Sequence, residues 1–141
     1  SAASDVYKRQ ICSHSSSMAM CKHDRNLTDE QLKALAQNGG VAQVCLLDRY
    51  INEDYKNASL TDAIEHIDHM VKVAGIDHVG IGSDFDGGGG IIGCESDNDF
   101  IQITVKLIEK GYTEEDIAKI WGGNLMRVLD EVQATASVKT L

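Results

Sequence analysis

Three residues in this chain have types and settings suited to chemistry, and each follows an apolar run or sits in the loop beyond one. Ile11-Cys12-Ser13 leads into His14, which stands between two serines, Ser13 and Ser15. A histidine there can ligate a metal through one ring nitrogen while a backbone or carboxylate acceptor holds the other. In the polar stretch that follows, His23-Asp24-Arg25-Asn26 brings a guanidinium, whose planar fork can clamp a carboxylate with two parallel hydrogen bonds. The run from Val79 to Ile81 passes through Gly82-Ser83 to Asp84. A carboxylate at that place can handle protons, bind an amino terminus or ligate a metal. A bare Asp would otherwise be an expensive way to finish an apolar strand. Asp86 faces the glycine run Gly87 to Gly90 and reads as a turn-former that bonds its own backbone. Taken singly, His14 also has the plainer reading of a satisfied loop histidine, and Arg25 that of a solvated surface arginine.

An alternation of strands and helices has to position these groups. Ile11-Cys12-Ser13 is the tail of a strand, and Ser15 to Asn26 is a polar loop. Thr28 and Gln31 have capping-box spacing, and Leu32 and Leu35 give the helix its apolar stripe. Asn38-Gly39-Gly40 ends it. Val41 to Leu47, with one polar break at Gln43, has the pattern of a buried parallel strand. Asp48 to Ala58 reads as loop. Ser59, with Asp62, starts a second helix whose stripe is Ile64, Ile67, Val71 and Ala74, and Gly75 stops it. His78 to Ser83 is the next strand, and Asp84 to Asp97 a glycine-rich loop. A third helix, about 97–110, carries Ile101, Val105 and Ile108. Thr113 caps a fourth, to Trp121. Gly122-Gly123 separates it from a fifth, about 124–132. The apolar residues of the last two helices, and Trp121, read as barrel-packing surface.

Strands alternating with helices imply right-handed βαβ units and a parallel sheet. Three strands cannot close a barrel, but they fit as the last strands of one. The expected fold is therefore α/β, the C-terminal part of a TIM-like (β/α)8 barrel with parallel strands and outer helices. In such folds ligands sit at the C-terminal strand ends, where His14 and Asp84 are placed. A sheet of this size leaves an unpaired inner edge.

Composition narrows the partners. The chain has 141 residues and a formal net charge of −9, which argues against nucleic acid or an anionic membrane surface. No apolar run approaches the roughly 20 residues that span a bilayer. Residues 1–10 read as a non-native leader, because Asp5-Val6-Tyr7-Lys8-Arg9-Gln10 resembles a translated sequencing adapter. The credible sequence then opens in mid-strand, as expected of a fragment, with residues 11–132 as the barrel portion and 133–141 as a frayed tail. Cys12, Cys21, Cys45 and Cys94 form no CxxC pair and read as reduced thiols, which points to a cytoplasmic location. Cys12 and Cys45 are expected to be small buried hydrophobes.

Other constellations are weaker. Cys12-x-His14 with Cys21-x-His23 has the wrong spacing for a zinc finger. His66-x-x-His69 lies on one helix face, so metal binding is geometrically possible. His66 falls off the Ile64, Ile67, Val71 stripe, however, and a solvated or capping role is expected for both histidines. The four-glycine run lacks the strand–GxGxxG–helix context of a nucleotide site.

Taken together, the motifs resemble the membrane dipeptidase (renal dipeptidase-like) family of binuclear zinc peptidases, peptidase family M19. The resemblance runs through Ser13-His14-Ser15, His23-Asp24-Arg25-Asn26-Leu27-Thr28 and Asn38-Gly39-Gly40-Val41. It continues with His66-Ile67-Asp68-His69, Gly80-Ile81-Gly82-Ser83-Asp84-Phe85-Asp86-Gly87 and Gly93-Cys94-Glu95. It closes with Gly111-Tyr112-Thr113-Glu114-Glu115 and Gly122-Gly123-Asn124-Leu125-Met126-Arg127. It covers about residues 11–132, and several motifs in the same order are far more specific than any one.

The resemblance implies a barrel that hydrolyses dipeptides with two zinc ions and a metal-bridged hydroxide. It makes His14 a zinc ligand, Arg25 the anchor of the substrate carboxylate, and Asp84 the contact of the substrate amino end and a proton-handling group. The family's early His-x-Asp, its bridging Glu, a further zinc histidine and an oxyanion histidine have no counterparts here. Asp24 stands where a proline is usual. The chain as written is therefore expected neither to hold zinc tightly nor to turn over. The alternatives are a non-catalytic binding or structural module on the same fold, and another metal-dependent amidohydrolase. The oligomeric state is left open, with a homodimer as one option.

Overall fold

The computed structural model describes residues 11–13, 15–83 and 90–140. Strands β1 (Ile11–Cys12), β2 (Val41–Cys45) and β3 (Val79–Ser83) form one parallel sheet in the order β1-β2-β3. Ile11 pairs with Val41 and Cys12 with Ala42; Ala42 pairs with Val79, Gln43 with Gly80 and Val44 with Ile81. A register shift between Val44 and Cys45 brings Cys45 opposite Ser83. Parallel neighbours need a crossover. Helix α1 (Asp29–Gln37) supplies the first, and α2 (Asp48–Ile51) with α3 (Leu60–Ala74) the second. The α/β class, the parallel strands and the outer helices all agree with the sequence reading.

Local chemistry sets the helix starts. Thr28 with Gln31, Ser59 with Asp62 and Thr113 with Asp116 each form a capping box. Each such cap is worth about 1 kcal/mol. Gly75, at φ +97°, ends α3 in a conformation other residues resist. The core lies between the sheet and the helices. Ala42, Val44, Leu46 and Val79 pack against Leu32, Ile64, Ile67, Met70, Ile103 and Leu107.

Several expectations are corrected. Strand β2 stops at Cys45, although Leu46 stays buried and Leu47 bridges to Gly90. The supposed loop 48–58 holds α2 and a 3₁₀ turn, Tyr55–Asn57, because Tyr50 and Ile51 are buried and fold the segment inward. Helix α4 (Phe100–Glu109) turns Ile103 and Leu107 to the core, leaving Ile101, Val105 and Ile108 exposed. Helix α5 (Glu114–Ala118) passes through a π-type turn, Lys119–Gly123, into α6 (Asn124–Thr140). Met126, Leu129 and Val132 on α6 are exposed, and Val128 is the buried member. The helix continues through the segment read as a frayed tail, which contains no proline or glycine to stop it. Trp121 packs as expected, 5.3 Å from Phe100 between ring centroids, and its indole N–H donates to Thr104 at 2.8 Å.

Asn124 and Arg127 fix α6 beneath the sheet. Asn124 Nδ2 donates to the carbonyls of Ile76 (2.7 Å) and Val79 (2.9 Å), at the entry to β3. Arg127 donates to the carbonyls of Gly39 and Asp77.

Candidate functional site

A parallel sheet puts the C-terminal ends of all its strands on one rim. His14 and Asp84, the residues expected to meet there, lie outside the described residues, as does Asp86. Their strands are described, and Gly82 shows how close they come. A β-carbon on Gly82 would collide with the carbonyl oxygen of Ser13 and stand 3.2 Å from Gln43 Cβ. At Gly80 it would stand 3.3 Å from Gln43 Cγ. Gln43, half-buried, therefore lies across both glycines.

The segment after β1 is fastened from below. Ser15 N–H donates to the Gln43 carbonyl at 3.1 Å. The Ser16 hydroxyl sits between the Cys45 N–H and carbonyl, at 3.2 and 3.1 Å. Ser17 and Leu27 bridge as parallel partners and close residues 17–27 into a loop. Asn26 fills that loop. Its Oδ1 accepts from Ser16 N–H at 3.1 Å, and its Nδ2 donates to the Cys21 and Tyr50 carbonyls, both at 2.9 Å. All three partners are backbone groups, so a 2% exposed amide replaces what secondary structure would otherwise provide.

Arg25 projects from this loop and is exposed. Its N–H donates to His23 Nδ1 at 3.2 Å, and its guanidinium donates to the Tyr50 hydroxyl at 3.3 Å. The His23 ring rests on Tyr50, with centroids 4.3 Å apart. The arginine thus leans on a buried tyrosine and has donors to spare for a carboxylate.

His66 corrects the sequence reading. It is 1% exposed rather than solvated. Nδ1 accepts from Ser17 N–H at 3.1 Å, and Nε2 donates to the Ile51 carbonyl at 2.8 Å. Burial holds its pKa below the usual value for histidine. The signal was available in the sequence: His66 shares the helix face of Ala63 and Met70, one turn away on either side, both fully buried. His69 is also not free in solvent, since its Nε2 lies 2.9 Å from Asp29 Oδ1. Asn26 and His66 stand inside quoted motifs without this role, and Tyr50 stands in none of them.

Cys45 is buried as expected, whereas Cys12 is only half-buried. Burial pushes the Cys12 and Cys21 thiols above their ordinary pKa. An open cleft of about 470 Å³ lies beside the loop, walled by Met18, Lys22, His23, Asp24, Thr28 and Asp29 among others. Arg25 is not among the residues of its wall, although His23 and Asp24 are. Among the described residues, no three His, Cys, Asp or Glu side chains come together to hold a metal. A two-zinc centre needs about four ligands per ion, and the described residues do not fit one on their own.

The profile of the membrane dipeptidase family (Peptidase family M19) matches residues 9–141. The chain is 38% identical over 126 residues to the dipeptidase aclJ of Aspergillus oryzae, covering 88% of this chain and 30% of that protein. It superposes on the crystal structure of the probable dipeptidase PvdM from Pseudomonas aeruginosa with a TM-score of 0.83 at 28% identity, over 90% of this chain and 46% of that one. A metallo peptidase from Rhodobacter sphaeroides, crystallised with a phosphinate mimic of the dipeptide L-Ala-D-Ala, gives a TM-score of 0.82 at 27% identity, over 87% and 36%. The chain spans about three tenths of the length of the curated relatives it matches.

Proposed function

The chain belongs to the membrane dipeptidase family (Peptidase family M19), and from that membership we propose that it carries the substrate-orienting part of a zinc-dependent dipeptidase. The observation that carries this reading is the seating of Arg25. Its loop is pinned by Asn26 to backbone groups on two segments, and its guanidinium is steadied by Tyr50. A surface arginine without a task needs no such foundation.

In this reading Arg25 forks onto the C-terminal carboxylate of a dipeptide. Asp84 meets the amino end, where an anion favours an ammonium, and handles a proton during bond cleavage. His14 gives one zinc ligand. The packing of Ser13 against Gly82 supports the idea that the His14 and Asp84 strand ends share one rim. A dipeptide gripped at both ends has its peptide bond fixed between them, and orientation of that kind lowers the barrier by removing the entropy of encounter. The described residues do not assemble a two-zinc donor set. The chemistry that this chain accounts for is binding and orientation, with turnover expected only from the gene's complete product.

The test is the complete product assayed on a panel of dipeptides with and without a chelator. Hydrolysis that is lost on chelation and restored by zinc is the expected result. A folded, zinc-loaded product that cleaves none of the panel overturns the reading and leaves a non-catalytic binding module.

A further inference from the structure

We propose that His66 is a positioning residue for Arg25, tying the base of the arginine's loop to the segment that carries its tyrosine partner. The proposal rests on the dipeptidase reading for what Arg25 binds, and on geometry for the rest.

Both ring nitrogens of His66 are committed to backbone groups. Ser17 N–H points at Nδ1 over 3.1 Å, so that nitrogen must present a lone pair. The Ile51 carbonyl faces Nε2 over 2.8 Å, so that nitrogen must carry the hydrogen. One tautomer, neutral, satisfies both. Ser17 opens the closed loop in which Arg25 lies, through its bridge with Leu27. Ile51 follows Tyr50, whose hydroxyl accepts from Arg25 and whose carbonyl accepts from Asn26. One imidazole on α3 therefore grips both sides of the Arg25–Tyr50 contact. A purely packing role at this 1% exposed position would suit a leucine or methionine, because burying two polar atoms costs free energy unless both are paired. The histidine supplies reach and two hydrogen bonds of defined direction, which a hydrocarbon cannot.

Two conservative variants separate the bonds. In His66→Asn the amide oxygen stands near the place of Nδ1, which keeps the Ser17 bond and gives up Ile51. In His66→Gln the amide nitrogen stands near the place of Nε2, which keeps Ile51 and gives up Ser17. In the complete gene product, His66→Gln and His66→Asn each cut one end of the tie, and each is expected to raise KM for dipeptides about 10-fold with kcat changed by less than about 2-fold. A merely structural role would reduce the amount of active protein, lowering apparent kcat at constant KM, and that result overturns the proposal.

Two measurements do not depend on activity. Ring ¹⁵N shifts of wild type at neutral pH should show the neutral Nε2–H form; the Nδ1–H tautomer or an imidazolium overturns the tie. Hydrogen exchange in residues 15–27 should be faster in His66→Gln than in His66→Asn, and equal rates overturn it as well. Absence of turnover in wild type would sink the dipeptidase reading, and with it the role of Arg25. The tautomer and exchange data would still decide whether the tie exists.

Discussion

The carbonyl oxygen of Ser13 occupies the space that a β-carbon on Gly82 would need. Ser13 directly follows β1 and Gly82 lies near the end of β3, and β2 lies between those strands. In a flat sheet, strands two apart are about 9–10 Å from each other. Contact between them means that the sheet curls, bringing its outer strands together at their C-terminal ends. That curl is the local form of a barrel wall, and it draws Ser13 and Gly82 together.

Gly82→Ala should therefore act as an overpacking mutation. Its neighbour across the gap is backbone and cannot rotate away. We expect a loss of about 1–3 kcal/mol, seen as a lower denaturation midpoint at unchanged m-value. Gly111 is the control: it has φ +97° and open space around it, so Gly111→Ala should show only backbone strain, about 1 kcal/mol.

Asn26→Ala removes partners from Ser16 N–H and from the Cys21 and Tyr50 carbonyls at once. Each buried polar group left alone costs about 1–3 kcal/mol. The variant should lose at least about 3 kcal/mol, well beyond the ~1 kcal/mol expected for Thr28→Ala at the neighbouring helix cap. Equal losses in thermal or urea unfolding would contradict this ranking.

Tyr50→Phe keeps the buried ring and its contact with His23 but deletes the acceptor for Arg25. Stability should change by no more than about 1 kcal/mol, since one partly exposed hydrogen bond is lost. In the complete product, affinity for dipeptides should fall while the melting temperature stays nearly unchanged. A large drop in melting temperature would show instead that the hydroxyl serves the fold.

The pH dependence of stability follows from His66. Burial is the main cause that holds its pKa below 6.5; His69 acts with it, and the Ile51 bond and Asp62 act against it. A lowered folded value means that this site's contribution is fully present above the unfolded pKa. Below it the unfolded chain takes up a proton that the folded chain refuses, and stability falls with pH until the folded pKa is reached. The stability difference between wild type and His66→Asn should shrink as the pH falls through and below 6.5, the ordinary histidine value. Asp68 acts further down. Lys72 chiefly, with Tyr112 and Lys110, holds its carboxyl below 3.8, so its contribution persists above that value and is lost only in stronger acid.

The zinc prediction concerns the 141-residue chain itself. Calorimetric titration should give no sub-micromolar zinc binding, because His14 is the one assigned ligand and each ion takes about four. Tight binding would mean that donors outside the described residues complete a site.

Much of the fold was legible in the sequence because short-range patterns wrote it. Thr28-x-x-Gln31 and Ser59-x-x-Asp62 give helix starts, Gly75 gives a stop, and Val41 to Cys45 shows a strand buried on both faces. Arg25 stood out because its neighbours formed a motif. His66 sits in a motif as well, but amphipathic reading assigns a polar residue to water unless its partners are known, and Ser17 and Ile51 are far from it in the chain. Helix α4 was misread for a related reason: Ile101, Ile103, Val105, Leu107 and Ile108 are apolar on nearly every side, so periodicity could not choose the buried face.

The amino-acid order by itself determined the alternation of elements, the parallel sheet and the family, since each depends on neighbours within a turn or on motifs in series. Only the tertiary structure decided which backbone groups Asn26 and His66 would serve, and that Gly82 must lack a side chain. Those choices are made between residues distant in sequence, where chain closure and the exclusion of volume act together.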